Sequence, residues 1–564
     1  AAIRETVAAG ASQARVERAA RLAAYGIVSD MSYPHIRFLD RLLTWLWHRI
    51  YEGVRVAGIE KFERLATTHT LIYTPCHRSH LDYLLLSYVL FHRGFMLPHI
   101  AAGDNLDLPL VGRILRGGGA FFMRRQFGAD AVYAAVFSEY LYQMFRRGHA
   151  VEYFVEGGRS RTGRLLPAHT GMLHMTIEAY RRGLPRPLAF VPVYFGYEKV
   201  VEANSYLDEL RGAAKRRETV GGVFRSLRLT RESFGTVQVR FGEPIDLADF
   251  LGDARDDRPV QALGRRILAG VNDCAYVNDV SLVALATLSM PRQSIDETTL
   301  RTQIELCRRL VEQNADHAYA VTGASADEVI RHVEDLGLLT REHIADEAGD
   351  ILGHDPVTAV LMTWYRNNVL HTIAAPSLIA CLVANRRGIR RVVLRRLFDA
   401  IYPYIARELS SLGSDGFGDW LERLHGVGVI EQRRGTVSAP ADPAARYRLR
   451  LLANAIMPVL ERFYITLALL HRAGPGVLDQ AALMLECRTT AARFSKLYGL
   501  DSPEFADARL FSAFLAHLTE NEALIADDAG RLKFDERVRD ILRAGRYVVA
   551  MELRHALEQR DTGR

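Results

Sequence analysis

The chain has 564 residues, of which 49% are hydrophobic and 24% are charged, and 72 Lys and Arg against 66 Asp and Glu leave a formal net charge of +6. This length predicts two or three domains, and the composition excludes a disordered or low-complexity chain. No internal repeat of solenoid period is visible. Because the chain carries no nucleic-acid-binding motif, its positive charge favours a phosphorylated metabolite, an acidic protein or an anionic membrane surface, and no nucleic acid.

The five cysteines lie far apart without a Cys-x-x-Cys pair, which favours a reducing compartment over a disulfide scaffold or a zinc site. The N-terminal sequence has no features of a signal peptide. No uncharged apolar run of about 18–20 residues is present, so no transmembrane helix is predicted. The nearest candidates, residues 369–385 and 456–470, are interrupted by polar or proline residues, and we expect both to be buried helices.

Residues 1–65 are predicted to be helical. Within them, residues 37–50 are amphipathic, with basic and polar side chains on one face and apolar ones on the other. Trp45 and Trp47 beside arginines are typical of a membrane interface, while packing against the following domain is the alternative.

Strands and helices alternate between residues 66 and 250. Strands are predicted near 70–76, 98–102, 119–123, 150–155, 188–195 and 236–241, and helices near 80–93, 129–147 and 171–183. This alternation predicts an α/β domain with a mostly parallel sheet, whose ligands lie at the carboxyl ends of the strands.

A His and an Asp follow the first of these strands. His77 and Asp82 lie in a predicted strand-to-helix turn, where a carboxylate can fix the tautomer of an imidazole and stabilise its protonated form. The alternative is that Asp82 only caps the next helix. Cys76 closes the apolar strand and is interpreted as a small buried residue rather than a nucleophile.

Two further segments place arginines after strands. Residues 117–125 join a glycine run and a short apolar strand to Arg124 and Arg125. Residues 154–164 join two glycines to three arginines, and this combination suits a phosphate cradle although it is not a Walker loop. A solvated arginine pair and an exposed basic loop are the respective alternatives.

The last strand of the domain carries Pro192, whose missing backbone donor predicts an edge strand or an irregular position, with plain core as the alternative. Residues 211–231 contain seven Lys or Arg and one acidic residue. They form either a solvated loop or a surface for an anionic lipid face or an acidic carrier. Residues 251–564 are predicted to be mainly helical and carry no recognised catalytic motif.

Taken together and in this order, the segments around His77, Arg125, Glu156 and Pro192 resemble the four blocks of the glycerolipid acyltransferase family. The sequences of residues 76–83, 119–125 and 154–164 carry the resemblance most specifically, towards the bacterial branch that acylates glycerol 3-phosphate. No block departs from the pattern. The chain opens without Met, and we expect the long N-terminal region of the family to be absent from it.

The resemblance implies transfer of a fatty acyl group from acyl-CoA or acyl-acyl-carrier-protein to the sn-1 hydroxyl of glycerol 3-phosphate. His77 would be the general base and Asp82 the residue that orients it. Glycerol 3-phosphate would be bound by the second and third blocks, through Arg124, Arg125, Glu156, Gly157, Arg159, Ser160 and Arg161. Among these, Glu156 would organise the loop, and Pro192 would shape the acyl or acceptor site.

The resemblance also implies a peripheral location on the cytoplasmic face of the bacterial inner membrane, with no cofactor and no metal. Three alternatives stay open from the sequence. The first is a related acyltransferase acting on lysophosphatidate or dihydroxyacetone phosphate. The second is a non-enzymatic module that binds a membrane or a carrier protein. The third is a phosphate-ester hydrolase with His77 as its nucleophile.

Overall fold

The structure is a computed structural model that describes residues 2–8, 12–124, 130–203, 206, 233–253, 258–290, 294–312, 319–344, 349–384, 386–411, 416–498, 505–549 and 551–558. The chain forms two compact units. The first comprises Ala1–Ser160, Leu165–Glu202 and Arg216–Ala275, and the second comprises Arg161–Arg164, Ala203–Lys215 and Tyr276–Arg564.

A mostly parallel sheet, as predicted, forms the centre of the first unit. Its strands are β1 (Gly53–Ala57), β2 (Thr70–Pro75), β3 (His99–Gly103), β4 (Ala120–Met123), β5 (Val151–Glu152), β6 (Leu188–Tyr197), β7 (Thr236–Phe241) and β8 (Ile245–Asp246). The order is β1-β7-β6-β2-β5-β3-β4, and β8 also pairs with β6. Only the pairings of β6 with β7 and β8 are antiparallel. Because β2 and β5 are parallel neighbours, the loops that follow them lie at the same sheet edge.

Helices cover this sheet. They are α1 (Ala2–Ala8), α2 (Gln13–Ile27), α3 (Tyr33–Ile50), α4 (Glu60–Thr68), α5 (Asp82–His92), α6 (Val111–Gly117), α7 (Ala131–Arg146), α8 (Thr170–Arg181), α9 (Leu247–Asp253) and α10 (Pro259–Asp273). Helical spacing brings Phe137, Leu141 and Phe145 of α7 into one buried cluster with Phe121 and Phe190 of the sheet.

The first unit differs from the sequence prediction in two respects. The segment 1–65, predicted to be helical, contains strand β1, which pairs in parallel with β7. The short alternating stretch Gly53–Ala57 is a strand because β7 offers it a sheet edge. The unit also extends past both predicted boundaries, at 65 and 250, because β1 pairs with β7 and α10 packs on β6.

The second unit is mainly helical, as predicted. Its helices are α11 (Asp279–Thr287), α12 (Glu297–Glu312), α13 (Ala326–Asp335), α14 (Pro356–Val369), α15 (Ala374–Ala384), α16 (Arg391–Glu408), α17 (Phe417–Gly426), α18 (Pro443–Asn454), α19 (Met457–Ala473), α20 (Gln480–Tyr498), α21 (Ala508–Glu520), α22 (Glu536–Gly545) and α23 (Met551–Glu558). Its short strands are β9 (Tyr276–Val277), β10 (Ser294–Asp296), β11 (Ala320–Val321), β12 (Thr340–His343), β13 (Asp350–Gly353), β14 (Ile389–Arg390), β15 (Glu431–Arg433), β16 (Thr436–Ser438), β17 (Leu524–Ala526) and β18 (Leu532–Phe534).

One arrangement occurs three times in the second unit. A short strand leads into two helices and then a two-stranded hairpin, and the first strand pairs with the last one. In the first copy, β11 lies between the two helices. The first copy runs from β10 to β13 and the second from β14 to β16. In the third copy, which ends with β17 and β18, a single bridge between Asp479 and Arg531 replaces the first strand. We call these three copies the modules.

The same turn ends the second helix of every module. A residue in the left-handed region, Gly337, Gly428 or Glu522, has φ of 70°, 75° and 56° respectively. The next backbone N–H donates to the carbonyl five residues back, at 3.1, 3.1 and 3.0 Å. This is the Schellman geometry, in which glycine is the favoured left-handed residue. The repeat spans about 90 residues, longer than solenoid periods, and is therefore distinct from the repeats excluded by sequence.

Among the described residues, one helical stretch, Pro356–Ala384, is long and apolar enough to cross a membrane, with a mean hydropathy of 1.4 over an 18-residue window, and α18 with α19 would pass the same test as one span bent by 56°. However, 94% of that 18-residue window is buried inside the protein. Core helices have the same composition, and the described residues of the first predicted stretch, 369–384, and residues 457–470 of the second lie in buried helices, as predicted.

Candidate active site

The loop between β2 and α5 holds the two residues predicted to be catalytic. The Nδ1 of His77 lies 3.1 Å from Oδ2 of Asp82. Asp82 is fully buried, whereas the His77 side chain is 17% exposed. An ionised carboxylate only accepts hydrogen bonds, so Nδ1–H donates to it and Nε2 is left to accept a proton. The pair therefore has the geometry of a general base with its orienting carboxylate.

Asp82 also holds the loop itself. Its Oδ2 accepts hydrogen bonds from the backbone N–H groups of Arg78, at 2.6 Å, and Ser79, at 2.8 Å. Asp82 is the first residue of α5, and the donors precede it in the chain. The carboxylate thus closes the turn before the helix and fixes the backbone that carries His77. This role differs from the helix-capping alternative.

The environment of His77 keeps it neutral. Its ring stacks on Phe154, with centroids 4.0 Å apart. Burial is the largest influence and lowers the pKa of His77, an effect that the hydrogen bond and the charge of Asp82 oppose and the charges of Arg159 and His80 reinforce. A neutral imidazole is the form that can accept a proton.

The loop after β5 is tied to His77 through the main chain. Glu156 is buried, and its two carboxylate oxygens accept from the N–H of His77, at 2.8 Å, and of Leu166, at 2.7 Å. Ser160, also buried, donates its N–H to the carbonyl of His77 at 2.8 Å. Burial raises the pKa of Glu156 to about 7. Glu156 therefore organises the loop, the role that the resemblance implies.

Arg159 lies beside a carboxylate that sequence reasoning missed. Its Nη1 is 3.9 Å from Oε1 of Glu202, and the two side chains are 9% and 2% exposed. Glu202 also accepts from the Ser79 hydroxyl, at 3.0 Å, and from the N–H of His80, at 2.7 Å. The loop of His77 and the guanidinium of Arg159 therefore share one buried anion.

The glycine at position 157 is required by the backbone. Its φ is +62°, and a Cβ there would meet Cδ2 of His169 at 2.6 Å. Both observations exclude a larger residue without local movement. Its N–H donates to the carbonyl of Phe154 at 3.1 Å and so closes a tight turn.

The remaining predicted site residues have different surroundings. Arg124 is half exposed and pairs with Asp130 at 3.1 Å, and Arg125 lies outside the described residues. Arg161 belongs to the second unit, where its guanidinium lies 5.5 Å from the centre of the Tyr206 ring.

Pro192 lies in a central strand, which corrects the edge-strand prediction and confirms the alternative of an irregular position. It falls between the residues of β6 that pair with β8 and those that pair with β7. The missing backbone donor is tolerated at this change of partner.

The chain is similar to known acyltransferases along most of its length. Residues 53–196 match the family model "Acyltransferase", and residues 206–527 match "Glycerol-3-phosphate acyltransferase C-terminal region". A glycerol-3-phosphate acyltransferase from Pseudomonas paraeruginosa (strain DSM 24068 / PA7) is 42% identical, over 97% of this chain and 68% of its own length. Another, from Pseudomonas fluorescens (strain SBW25), is 40% identical over 99% of this chain and 70% of its own length.

The chain belongs to the glycerol-3-phosphate acyltransferase family. Among solved structures, a 1-acyl-sn-glycerophosphate acyltransferase from Thermotoga maritima is similar at 18% identity and a TM-score of 0.26, over 42% of this chain and 75% of that one.

In this acyltransferase, two residues near the predicted site were not found from the sequence. Tyr197, at the end of β6, donates its hydroxyl to Oδ1 of Asp82 at 2.6 Å. Glu202 follows the same strand. The signal that could have found them is their position at the end of β6 and just after it, since β6 is a parallel neighbour of β2 and parallel neighbours end at one sheet edge.

Proposed function

We propose that this acyltransferase transfers a fatty acyl group from acyl-CoA or acyl-acyl-carrier-protein to the sn-1 hydroxyl of glycerol 3-phosphate. The product is 1-acyl-glycerol 3-phosphate, and the reaction is the first step of phospholipid synthesis. The observation that carries this proposal is the His77–Asp82 pair at 3.1 Å, with the imidazole held neutral and Arg159 close by.

The base would act on the acceptor hydroxyl. Nε2 of His77 takes the proton as the hydroxyl oxygen attacks the thioester carbonyl, and Asp82 stabilises the imidazolium that forms. The carbon–sulfur bond then breaks, and the thiolate receives the proton from His77. A thiolate is a good leaving group near neutral pH, so the proposed transfer requires neither a cofactor nor a metal.

The oxyanion formed in this attack needs hydrogen-bond donors. The N–H of Gly157 is used in its own turn. Within the described part of the chain, the N–H of Gly158 makes no hydrogen bond, which supports it as an oxyanion donor. Arg125, Arg159 and Ser160 would bind the phosphate of the acceptor, with Arg124 and Arg161 as second contacts, as the resemblance implies.

A peripheral location on the cytoplasmic face of the inner membrane is part of the same proposal, because the product is a lipid. Helix α3 exposes Phe38 and Trp45, at 54% and 49%, whereas it buries Trp47. The basic residues 211–231 lie outside the described residues.

Thiol release and product analysis together test the reaction. The purified protein is given acyl-CoA or acyl-acyl-carrier-protein, with glycerol 3-phosphate, dihydroxyacetone phosphate or lysophosphatidate as acceptor. We expect thiol release that depends on glycerol 3-phosphate and a product acylated at the sn-1 position. His77→Ala should lower kcat by roughly 10²–10⁴-fold, the usual contribution of general-base catalysis.

Three results would contradict the proposal. Preference for another acceptor would reassign the substrate. Release of inorganic phosphate from glycerol 3-phosphate would indicate a hydrolase. A His77→Ala variant that keeps more than about a tenth of the wild-type kcat would remove His77 from the role of base.

A further inference from the structure

The carboxylate of Asp82 has a fourth hydrogen-bond donor, on the oxygen that His77 does not use. Three donors meet at Oδ2, which are Nδ1 of His77 and the N–H groups of Arg78 and Ser79. The hydroxyl of Tyr197 alone reaches Oδ1 in the described structure, at 2.6 Å. Because the Oδ2 contacts converge on one atom, they leave the carboxylate free to pivot about that oxygen, and the contact with Tyr197 removes this freedom.

Tyr197 is itself held rigidly. It is the last residue of β6, in antiparallel register with Val237. The ring is buried and contacts the rings of Tyr51, at 6.1 Å between centroids, and Phe195, at 6.3 Å. Burial raises the pKa of Tyr197, so the hydroxyl keeps its proton and remains a donor throughout the pH range of the reaction.

We propose that Tyr197 is a positioning residue for the His77–Asp82 pair: by donating to Oδ1, it fixes the plane of the carboxylate and withdraws part of its negative charge. The proposal rests on the proposed function, in which His77 is the base. Both effects act on His77 through Asp82, since the hydroxyl of Tyr197 contacts the carboxylate and not the imidazole.

The withdrawn charge has a consequence for the imidazole. A weaker hydrogen-bond acceptor at Asp82 supports the imidazolium less, so His77 stays neutral at lower pH. Loss of the hydroxyl concentrates charge on the carboxylate and favours the protonated imidazole. The pKa of His77 should therefore rise in a variant that lacks only this hydroxyl.

Other charged groups surround the pair and must be kept in place. Arg159 and His80 act on the imidazole, and the carboxyl groups of Glu152 and Glu202 act on Tyr83, the neighbour of Asp82. Glu156 and Arg78 lie on the adjoining loops. A substitution that removes one hydroxyl leaves all of these in position.

Tyr197→Phe is the test, and Tyr153→Phe is its matched control. Tyr153 is also buried in the first unit, and its hydroxyl lies 3.3 Å from that of Thr176. For Tyr197→Phe, we expect kcat to fall about tenfold, the effect of losing one hydrogen bond to a charged group. KM for glycerol 3-phosphate should stay near the wild-type value, and the acid limb of kcat/KM against pH should move to higher pH. The control should change none of the three.

The inference is overturned if Tyr197→Phe keeps the wild-type kcat and acid limb. It is also overturned if kcat falls while the acid limb stays in place, or if Tyr153→Phe gives the same kinetic change, because either result marks a purely structural role. Thermal unfolding of both variants checks that they are folded. His77→Ala separates this inference from the proposed function: activity without His77 would remove the base, whereas an inactive His77→Ala with an unchanged Tyr197→Phe would remove only the role of Tyr197.

Discussion

Arg159 and Arg124 are both conspicuous basic residues in the sequence, yet their surroundings differ. Arg159 is nearly buried, lies near the imidazole and faces Glu202, whereas Arg124 is half exposed and pairs with Asp130. Replacing Arg159 with Ala should raise KM for glycerol 3-phosphate about 10- to 150-fold, because one charge-assisted phosphate contact contributes roughly 1.5–3 kcal/mol. KM for acyl-CoA should change little.

Arg182→Ala is the control for this prediction, because Arg182 is about half exposed, pairs with Glu139 at 2.8 Å and is not among the predicted site residues. An exposed ion pair contributes about 0–1 kcal/mol, so this variant should remain near wild type in both KM values. Steady-state kinetics with each substrate varied in turn distinguishes the outcomes. If Arg159→Ala raised KM for acyl-CoA instead, the loop after β5 would belong to the donor site and the assignment of the phosphate would be reversed.

The site residues that could be predicted are those that belong to a local sequence pattern. His77 and Asp82 lie five positions apart, and the loop that closes them follows from that spacing. Tyr197 and Glu202 act on the same loop from more than a hundred residues away. Their positions depend on β6 lying beside β2, which no pattern of residues along the chain specifies. Sequence reasoning therefore found the His77–Asp82 pair, which the structure brings into contact, and missed the side chains that hold it.

Comparison of the three modules leads to a prediction about the turn at Glu522. Gly337 and Gly428 take the left-handed conformation with no strain, but Glu522 takes it with φ of 56°. A residue other than glycine destabilises the folded state by about 1–2 kcal/mol when it takes the left-handed conformation. Glycine avoids this strain but loses roughly 0.5–1 kcal/mol more than other residues in chain entropy on folding. Glu522→Gly should therefore raise the free energy of unfolding by about 0.5–1 kcal/mol, measured by urea denaturation.

The opposite substitution in the second module is the control. A Cβ at Gly428 would meet no atom within 4 Å, so the cost of Gly428→Ala is conformational. We expect a loss of about 1 kcal/mol in the free energy of unfolding. A decrease in stability for Glu522→Gly would show that its side chain contributes more than the strain costs, and the three turns would not be energetically equivalent.

The sequence predicted the long helices correctly and missed the short strands. Helices such as α7 and α16 run for 16 and 18 residues and show a clear apolar face. The strands of the modules have two to four residues, too few for an alternating pattern to appear. Strand β5, predicted over residues 150–155, has only two paired residues because the chain turns at once into the loop that carries Glu156.

At the scale of the whole molecule, hydrophobicity alone does not distinguish a buried core helix from a membrane-spanning helix. Pro356–Ala384 satisfies the length and composition of a spanning helix, but 94% of its 18-residue apolar window is buried inside the protein. The N-terminal amphipathic helix shows the converse. The two tryptophans of α3 look equivalent in sequence, whereas Trp47 belongs to the core and Trp45 is exposed with Arg49 near its ring. Only the exposed one can contact a bilayer.

Membrane association should therefore depend on Phe38 and Trp45 together. They are seven residues apart on one helical face, with Arg41 between them also exposed. We expect binding to vesicles to rise with anionic lipid content and to weaken with salt, because exposed charges are screened beyond about 10 Å at 0.1 M ionic strength. Phe38→Ala with Trp45→Ala should lower vesicle binding in a sedimentation assay while kcat with a short-chain, water-soluble acyl-CoA stays unchanged. Trp47→Ala should instead lower the thermal unfolding temperature. A wild-type protein that ignores anionic vesicles at low salt, or a double variant that binds them as well as wild type, would exclude this face of α3 as the membrane contact.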